Sequence, residues 1–347
     1  MTRPEPAFKI LSLDGGGIRG AFSASVLASF EAQFGVRLVE YFDLIVGTST
    51  GGIIALGLAA GLPAAEIREF YRTQGPRIFP PLRGGRRLWR LVSSVIRAKH
   101  SQGPLKAALS EAFGGRTVGS LETRVVIPAF NCNAGQIRLF KTPHHDRLTR
   151  DHSRSLVEVA LATTSAPYFL PGYVSAESER FVDGGVWANN PILVGVVEAI
   201  GYLQVPADRI HVLSVGTTSE PFHLEPSVLK RGLVGIGLGA LRGQSVELFM
   251  AGQATGAHGQ AKVLLGRDDA ILRIDTAVAT RRFALDRADD FEELRGLGEH
   301  AATSAAPAVQ LFLSERATPF RFDGVIRPKR RPGVAGPAPL GPASNTD

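Results

Sequence analysis

Ser49 stands in Gly47-Thr48-Ser49-Thr50-Gly51, a G-x-S-x-G run that follows an apolar stretch and precedes a helix-forming one. A strand-to-helix turn this tight needs small residues two positions to either side of the serine. It pushes Oγ out of the sheet at a helix N-terminus, where the dipole favours developing negative charge. That is the setting of a nucleophile; the plainer reading is a glycine-rich turn with a capping serine. A second cluster, Asp14-Gly15-Gly16-Gly17-Ile18-Arg19-Gly20, lies between an earlier strand and helix, with Gly16 33 residues before Ser49. Its Gly15, Gly17 and Gly20 satisfy G-x-G-x-x-G, so its amides can face an anion, either a pyrophosphate or the oxyanion of a tetrahedral intermediate. A dinucleotide site wants an acid ending the second strand, about 20 residues on. Here that strand runs into Gly47-Thr48-Ser49, and Glu40 falls before it. Two loops of one βαβ unit emerge at the same sheet edge. Gly16 and Gly17 are therefore expected to face Ser49, with Arg19 adding charge or bracing the loop.

A serine hydroxyl needs a proton acceptor. His258 and His300 follow Ser49 in the chain, but neither lies in a recognisable strand-end loop. Asp183, in Phe181-Val182-Asp183-Gly184-Gly185, ends an apolar strand and precedes the helix start at Asn189-Asn190-Pro191. It is the better candidate, although an isolated D-G-G is an ordinary turn. A free carboxylate, with a pKa near ~3.9, is a weak base. Asp183 would need desolvation and a short bond to Ser49, with much of the barrier lowering left to the oxyanion donors. Two alternatives stay open: a nucleotide-binding Rossmann-type protein using the first loop, and an α/β-hydrolase esterase with a histidine triad.

Positioning these residues falls to alternating strands and helices. Strands are expected at Phe8–Leu13, Tyr41–Val46, Arg124–Phe130, Ile137–Lys141, Arg180–Val182, Arg209–Val215 and Ala270–Asp275. Helices are expected at Ala21–Phe34, Thr50–Ala60, Ser153–Thr163, Pro191–Leu203 and over most of Asp289–Glu315. The alternation predicts an α/β sandwich with a largely parallel central sheet flanked by helices. The 347 residues are 44% hydrophobic, which excludes global disorder, and the lone Cys132 excludes a disulfide framework or a multi-cysteine zinc site. No metal site is expected.

Taken in order, DGGGIRG, GTSTG and DGG resemble the patatin-like phospholipase family, and Ala162–Tyr173 (ATTSAPYFLPGY) is similar to a further block of it. The resemblance covers roughly residues 8–215. It implies a three-layer sandwich and calcium-independent hydrolysis of fatty-acyl esters of membrane glycerophospholipids by a Ser–Asp dyad through an acyl-serine intermediate. Ser49 is then the nucleophile and Asp183 the base. Gly16, Gly17 and Arg19 form the oxyanion hole, and Gly15, Gly20, Gly47, Gly51, Gly184 and Gly185 shape the turns. D-G-G replaces the D-G-A also common in the family. The wording and spacing look bacterial, and some bacterial patatins are anti-phage effectors switched on by a cyclic dinucleotide. Such an activator is carried as a further expectation, although no residue pattern identifies its pocket.

Lys+Arg 39 against Asp+Glu 32 leaves +7, which favours anionic partners. Much of the excess lies in residues 77–100, where Arg87 and Arg90 face away from an apolar helical stripe edged by Trp89. This segment is expected to bind anionic lipid or cover the site; its plainer reading is a packed helix with a solvated basic face. Nucleic acid is not expected as a partner, and a homo-oligomer is left open. The start MTRPEPAFKILSLD has no apolar run, so no signal peptide is expected. The expected location is cytoplasmic, peripheral to the inner face of the membrane when active. Residues 1–7 read as an extension, 8–327 as one hydrolase domain, and 328–347 as a disordered tail rich in Pro, Gly and Ala.

Overall fold

In the computed structural model, residues 6–80, 98–220, 244–279, 282–320 and 322 are described. Arg87, Trp89, Arg90 and the 328–347 tail lie outside them. Successive strand side chains point to opposite faces of a sheet, and here both faces are apolar. In β1 (Phe8–Leu13), Ile10 belongs to one buried cluster while Leu11 and Leu13 belong to the other. β2 (Leu44–Gly47) splits the same way, with Leu44 and Val46 opposite Ile45. Helices must therefore cover both faces. The larger cluster takes side chains from α1 (Gly20–Phe34), α2 (Thr50–Ala59), α3 (Ala64–Ile78), α4 (Gln102–Phe113) and α5 (Leu156–Thr164). The smaller is closed by Ile192, Val196 and Ala199 and by Ala261 and Leu265, which lie on two later helices. The result is the expected three-layer α/β sandwich.

β3 (Arg124–Asn131), β2, β1, β7 (Ile210–Val215) and β8 (Ile271–Ile274) run parallel and adjacent in that order. β4 (Gln136–Lys141) and β6 (Arg180–Asp183) pair with β3 antiparallel, and β5 (Tyr173–Val174) pairs with β6. The register of β3 decides where the site forms. Val126 pairs with Val46 on one side and Lys141 on the other; Ala129 pairs with Asp183 and Arg138. β2 and β6 therefore share one edge of β3 and approach each other head to head. Their ends, which lead to Ser49 and carry Asp183, meet over Ile127 and Pro128.

After β6 come α6 (Gly185–Ala188) and α7 (Ile192–Gly201); just before α7 the Asn190 side chain accepts from Ile192 N–H at 3.0 Å. α8 (Gln244–Leu265) and α9 (Phe291–Val309) complete the described helices. Three departures from the sequence reading matter. β2 starts at Leu44 rather than Tyr41, because Leu38–Glu40 is a 3-10 turn and the Asp43 side chain accepts Lys9 N–H at 2.8 Å. Arg77 and Ile78 close α3 instead of opening a separate basic segment. α3, α4 and α8 had no sequence assignment. α3 buries only Ala64, Ile67, Tyr71, Gly75 and Ile78 on a mostly polar helix, a narrow stripe broken late by Pro76.

Candidate active site

Ser49 holds φ 55° and ψ −120°, a left-handed setting that costs a β-carbon residue about 1–3 kcal/mol. The surroundings enforce it. Ser49 N–H donates to Thr163 Oγ1 at 2.9 Å, and Thr163 Oγ1 donates to Pro128 O at 2.6 Å. Thr163 thus bridges the gap where β2 and β6 meet. A side chain at Gly47 would come within 2.1 Å of Gly51 O, and one at Gly51 within 2.2 Å of Leu13 O. Both positions need glycine because main chain crosses main chain there.

The turn delivers Ser49 Oγ to Asp183, donating to Oδ2 at 2.6 Å. Gly185 N–H donates to Oδ1, also at 2.6 Å. Asp183 is buried, and no cation is among the groups shifting its titration. Burial pushes its carboxyl up to about 7, against the opposing pull of the bonds from Ser49 and Gly185. A carboxyl that titrates near neutrality can both take and return a proton.

The first glycine loop stands beside this pair. Gly15 N–H donates to Asn189 O, Ile18 N–H to Leu285 O, and Arg19 N–H to Gly16 O. Among the described residues the N–H groups of Gly16 and Gly17 have no such acceptor. Both glycines line the same cavity as Ser49 and Asp183. Gly17 has φ +58°, and a side chain on it would meet Leu285 O at 2.2 Å. The remaining predicted glycines are structural by contact. Gly15 abuts Asn189, Gly20 abuts Thr50 and Gly184 abuts Pro128 O.

The cavity holds about 290 Å³. Apart from the polar groups at its floor, its walls are apolar, with Ile53, Phe70, Phe79, Leu105, Phe169 and Leu170 prominent. Such a space suits a hydrocarbon chain better than a hydrated anion.

Arg19 does not line the cavity; its guanidinium lies 3.7 Å from Glu220, and its N–H closes onto Gly16 O within the loop. The brace under the loop is Arg273 on β8, bidentate to Asp14 at 3.0 and 2.6 Å and bonded to Asp275 at 2.7 Å. Burial lifts Asp14 to about 6 while Arg273 pulls the other way; Arg19 contributes more weakly. Sequence reasoning missed Arg273, Thr163 and Asn189. Thr163 lay inside a quoted block and Asn189 beside a quoted turn, whereas Arg273 carries no local signal. His300 lies on α9 and His258 on α8, and neither bonds Ser49 or Asp183.

Comparison with known proteins agrees with this geometry. The pattern of the patatin-like phospholipase family matches residues 11–196. A cGAMP-activated phospholipase of Pseudomonas aeruginosa is 37% identical over 332 residues, covering 92% of this chain and 96% of its own. One from Escherichia coli is 37% identical over 65% of this chain and 67% of its own. One from Vibrio cholerae is 38% identical over 66% and 70%. The family pattern spans more than half of the chain and a relative runs along nearly all of it, so the chain belongs to the patatin-like phospholipase family.

Proposed function

We propose that the protein hydrolyses fatty-acyl esters of glycerophospholipids with Ser49 as nucleophile and Asp183 as general base. The observation that carries this reading is the 2.6 Å bond between Ser49 Oγ and a buried carboxylate at the floor of an apolar cavity. Ser49 Oγ attacks the ester carbonyl carbon as Asp183 takes its proton. Gly16 and Gly17 N–H groups receive the oxyanion, each donor contributing about 3–4 kcal/mol. The tetrahedral intermediate collapses, the C–O bond to the leaving alcohol breaks, and Asp183 returns the proton to that alcohol. Water then attacks the acyl-Ser49 ester with Asp183 again taking a proton, which passes to Ser49 Oγ as the fatty acid leaves. No histidine is required, because burial raises Asp183 to about 7 even against the bonds from Ser49 and Gly185.

The substrate is an amphiphile in a bilayer. Among the described residues no helix is long and apolar enough to cross a membrane, so the protein works from the membrane surface in this reading. The relatives named as cGAMP-activated phospholipases support a cyclic dinucleotide as activator and a role in anti-phage defence here too. Fatty-acid release from phosphatidylglycerol/phosphatidylethanolamine vesicles, followed by mass spectrometry with and without cGAMP, tests both parts. Ser49→Ala is expected to lose roughly 10⁴-fold or more in kcat while keeping its melting temperature. Retained turnover in that variant removes the nucleophile, and full activity without cGAMP removes the switch.

A further inference from the structure

The loop carrying Leu285 touches the first glycine loop. Leu285 O accepts Ile18 N–H at 2.9 Å and presses on Gly17, at the position where a side chain would come within 2.2 Å of it. The next residue, Asp286, has a largely buried side chain and gathers two partners from a distant stretch of the chain. Lys99 Nζ lies 2.5 Å and His100 Nε2 2.7 Å from the same Oδ2. Those partners are tied to the cavity wall in turn. Lys99 N–H donates to Tyr168 O at 2.9 Å and His100 N–H to Phe169 O at 2.8 Å, while the His100 ring meets Phe79 edge-on at 5.2 Å. Hydrogen bonds from His100 and Lys99 also hold the Asp286 carboxyl below the usual carboxylate range despite its burial.

We propose that Asp286 is a positioning residue, clasping Lys99 and His100 so that the Leu285 carbonyl fixes the turn at Gly17 and keeps the Gly16 and Gly17 amides aimed at the attacked carbonyl. This deepens the ester-hydrolase reading and rests on it. A loosened turn misdirects the donors without altering the hydrophobic walls, so transition-state stabilisation falls while ground-state binding stays.

Two readouts on the full-length protein test it. Asp286→Ala is expected to lower kcat about 10–100-fold, part of what a lost oxyanion donor costs, with KM within about twofold. Amide exchange over residues 14–20 should quicken by about tenfold. Asp286→Asn keeps shape and folding and should show a smaller change in the same direction, and Asp286→Glu should recover part of kcat. Glu292→Gln, which breaks an exposed pair with Arg295 on α9, should move neither readout. Unchanged exchange in Asp286→Asn and Asp286→Ala overturns the clasp, as does faster exchange with kcat intact or a loss carried by KM alone. If wild type releases no fatty acid, the hydrolase reading fails, and exchange alone then decides whether the clasp orders the loop.

Discussion

Two buried carboxylates stand at the ends of two strands of the sheet, and their surroundings give them different work. Asp14 closes β1 beneath the first glycine loop and is held by Arg273, which also binds Asp275. Asp183 closes β6, and among the described residues its carboxyl bonds a hydroxyl and one amide. Desolvation raises both, to about 6 and about 7. The first has both oxygens engaged by a cation, so its role is to hold main chain in place. The second has no ion partner, and its one side-chain bond is to the group it would deprotonate. Sharing a strand end and burial does not make two aspartates equivalent; the counter-ion separates them.

Removing the counter-ion breaks the contrast most sharply. Arg273→Met leaves Asp14 and Asp275 beside each other without a cation, and uncompensated buried charge costs about 3–5 kcal/mol. Chemical denaturation should show a loss of that size at pH 8, shrinking as the medium is acidified and Asp14 protonates. An unchanged midpoint would mean that the loop is braced elsewhere.

Asp183 should behave in the opposite sense. A carboxyl raised from 3.8 to about 7 by folding contributes stability fully below pH 4 and loses it as pH rises through 7. Asp183→Asn cannot ionise, so it should be more stable than wild type at pH 8, on the order of 2–4 kcal/mol, while being catalytically dead. The gain should vanish below pH 4. A destabilised Asp183→Asn at pH 8 would show that the ionised form is better solvated than its burial indicates.

The gentlest test is the pH dependence of activity. With Asp183 as base, kcat/KM should climb through an apparent pKa near 7 and level off above it. His258→Ala should leave that profile in place within about twofold, since the α8 histidine does not bond the pair. A profile displaced by that variant would return a histidine to the mechanism.

Much of the site was legible in the chain. The G-x-S-x-G turn announces itself because two main-chain crossings there admit only glycine, and steric exclusion is a local property of residue type. The first glycine loop was singled out as a glycine cluster after a strand, and Asp183 as an acid ending an apolar strand. The long buried strands were legible because both faces are apolar, whereas α3 was not, since its buried stripe is narrow and its surface polar.

Position, titration and partnership needed the assembled molecule. Ser49 and Asp183 are 134 residues apart, and they touch because β2 and β6 meet head to head along one edge of β3, a matter of register that no local pattern encodes. Asp183 titrates near 7 only because packed side chains exclude water from it. Arg273 came to hold Asp14 because β8 lies beside β7 at the far side of β1. Residue type fixes what a group can do and where the chain must bend; the dielectric around that group and its neighbour across the sheet are properties of the packed whole.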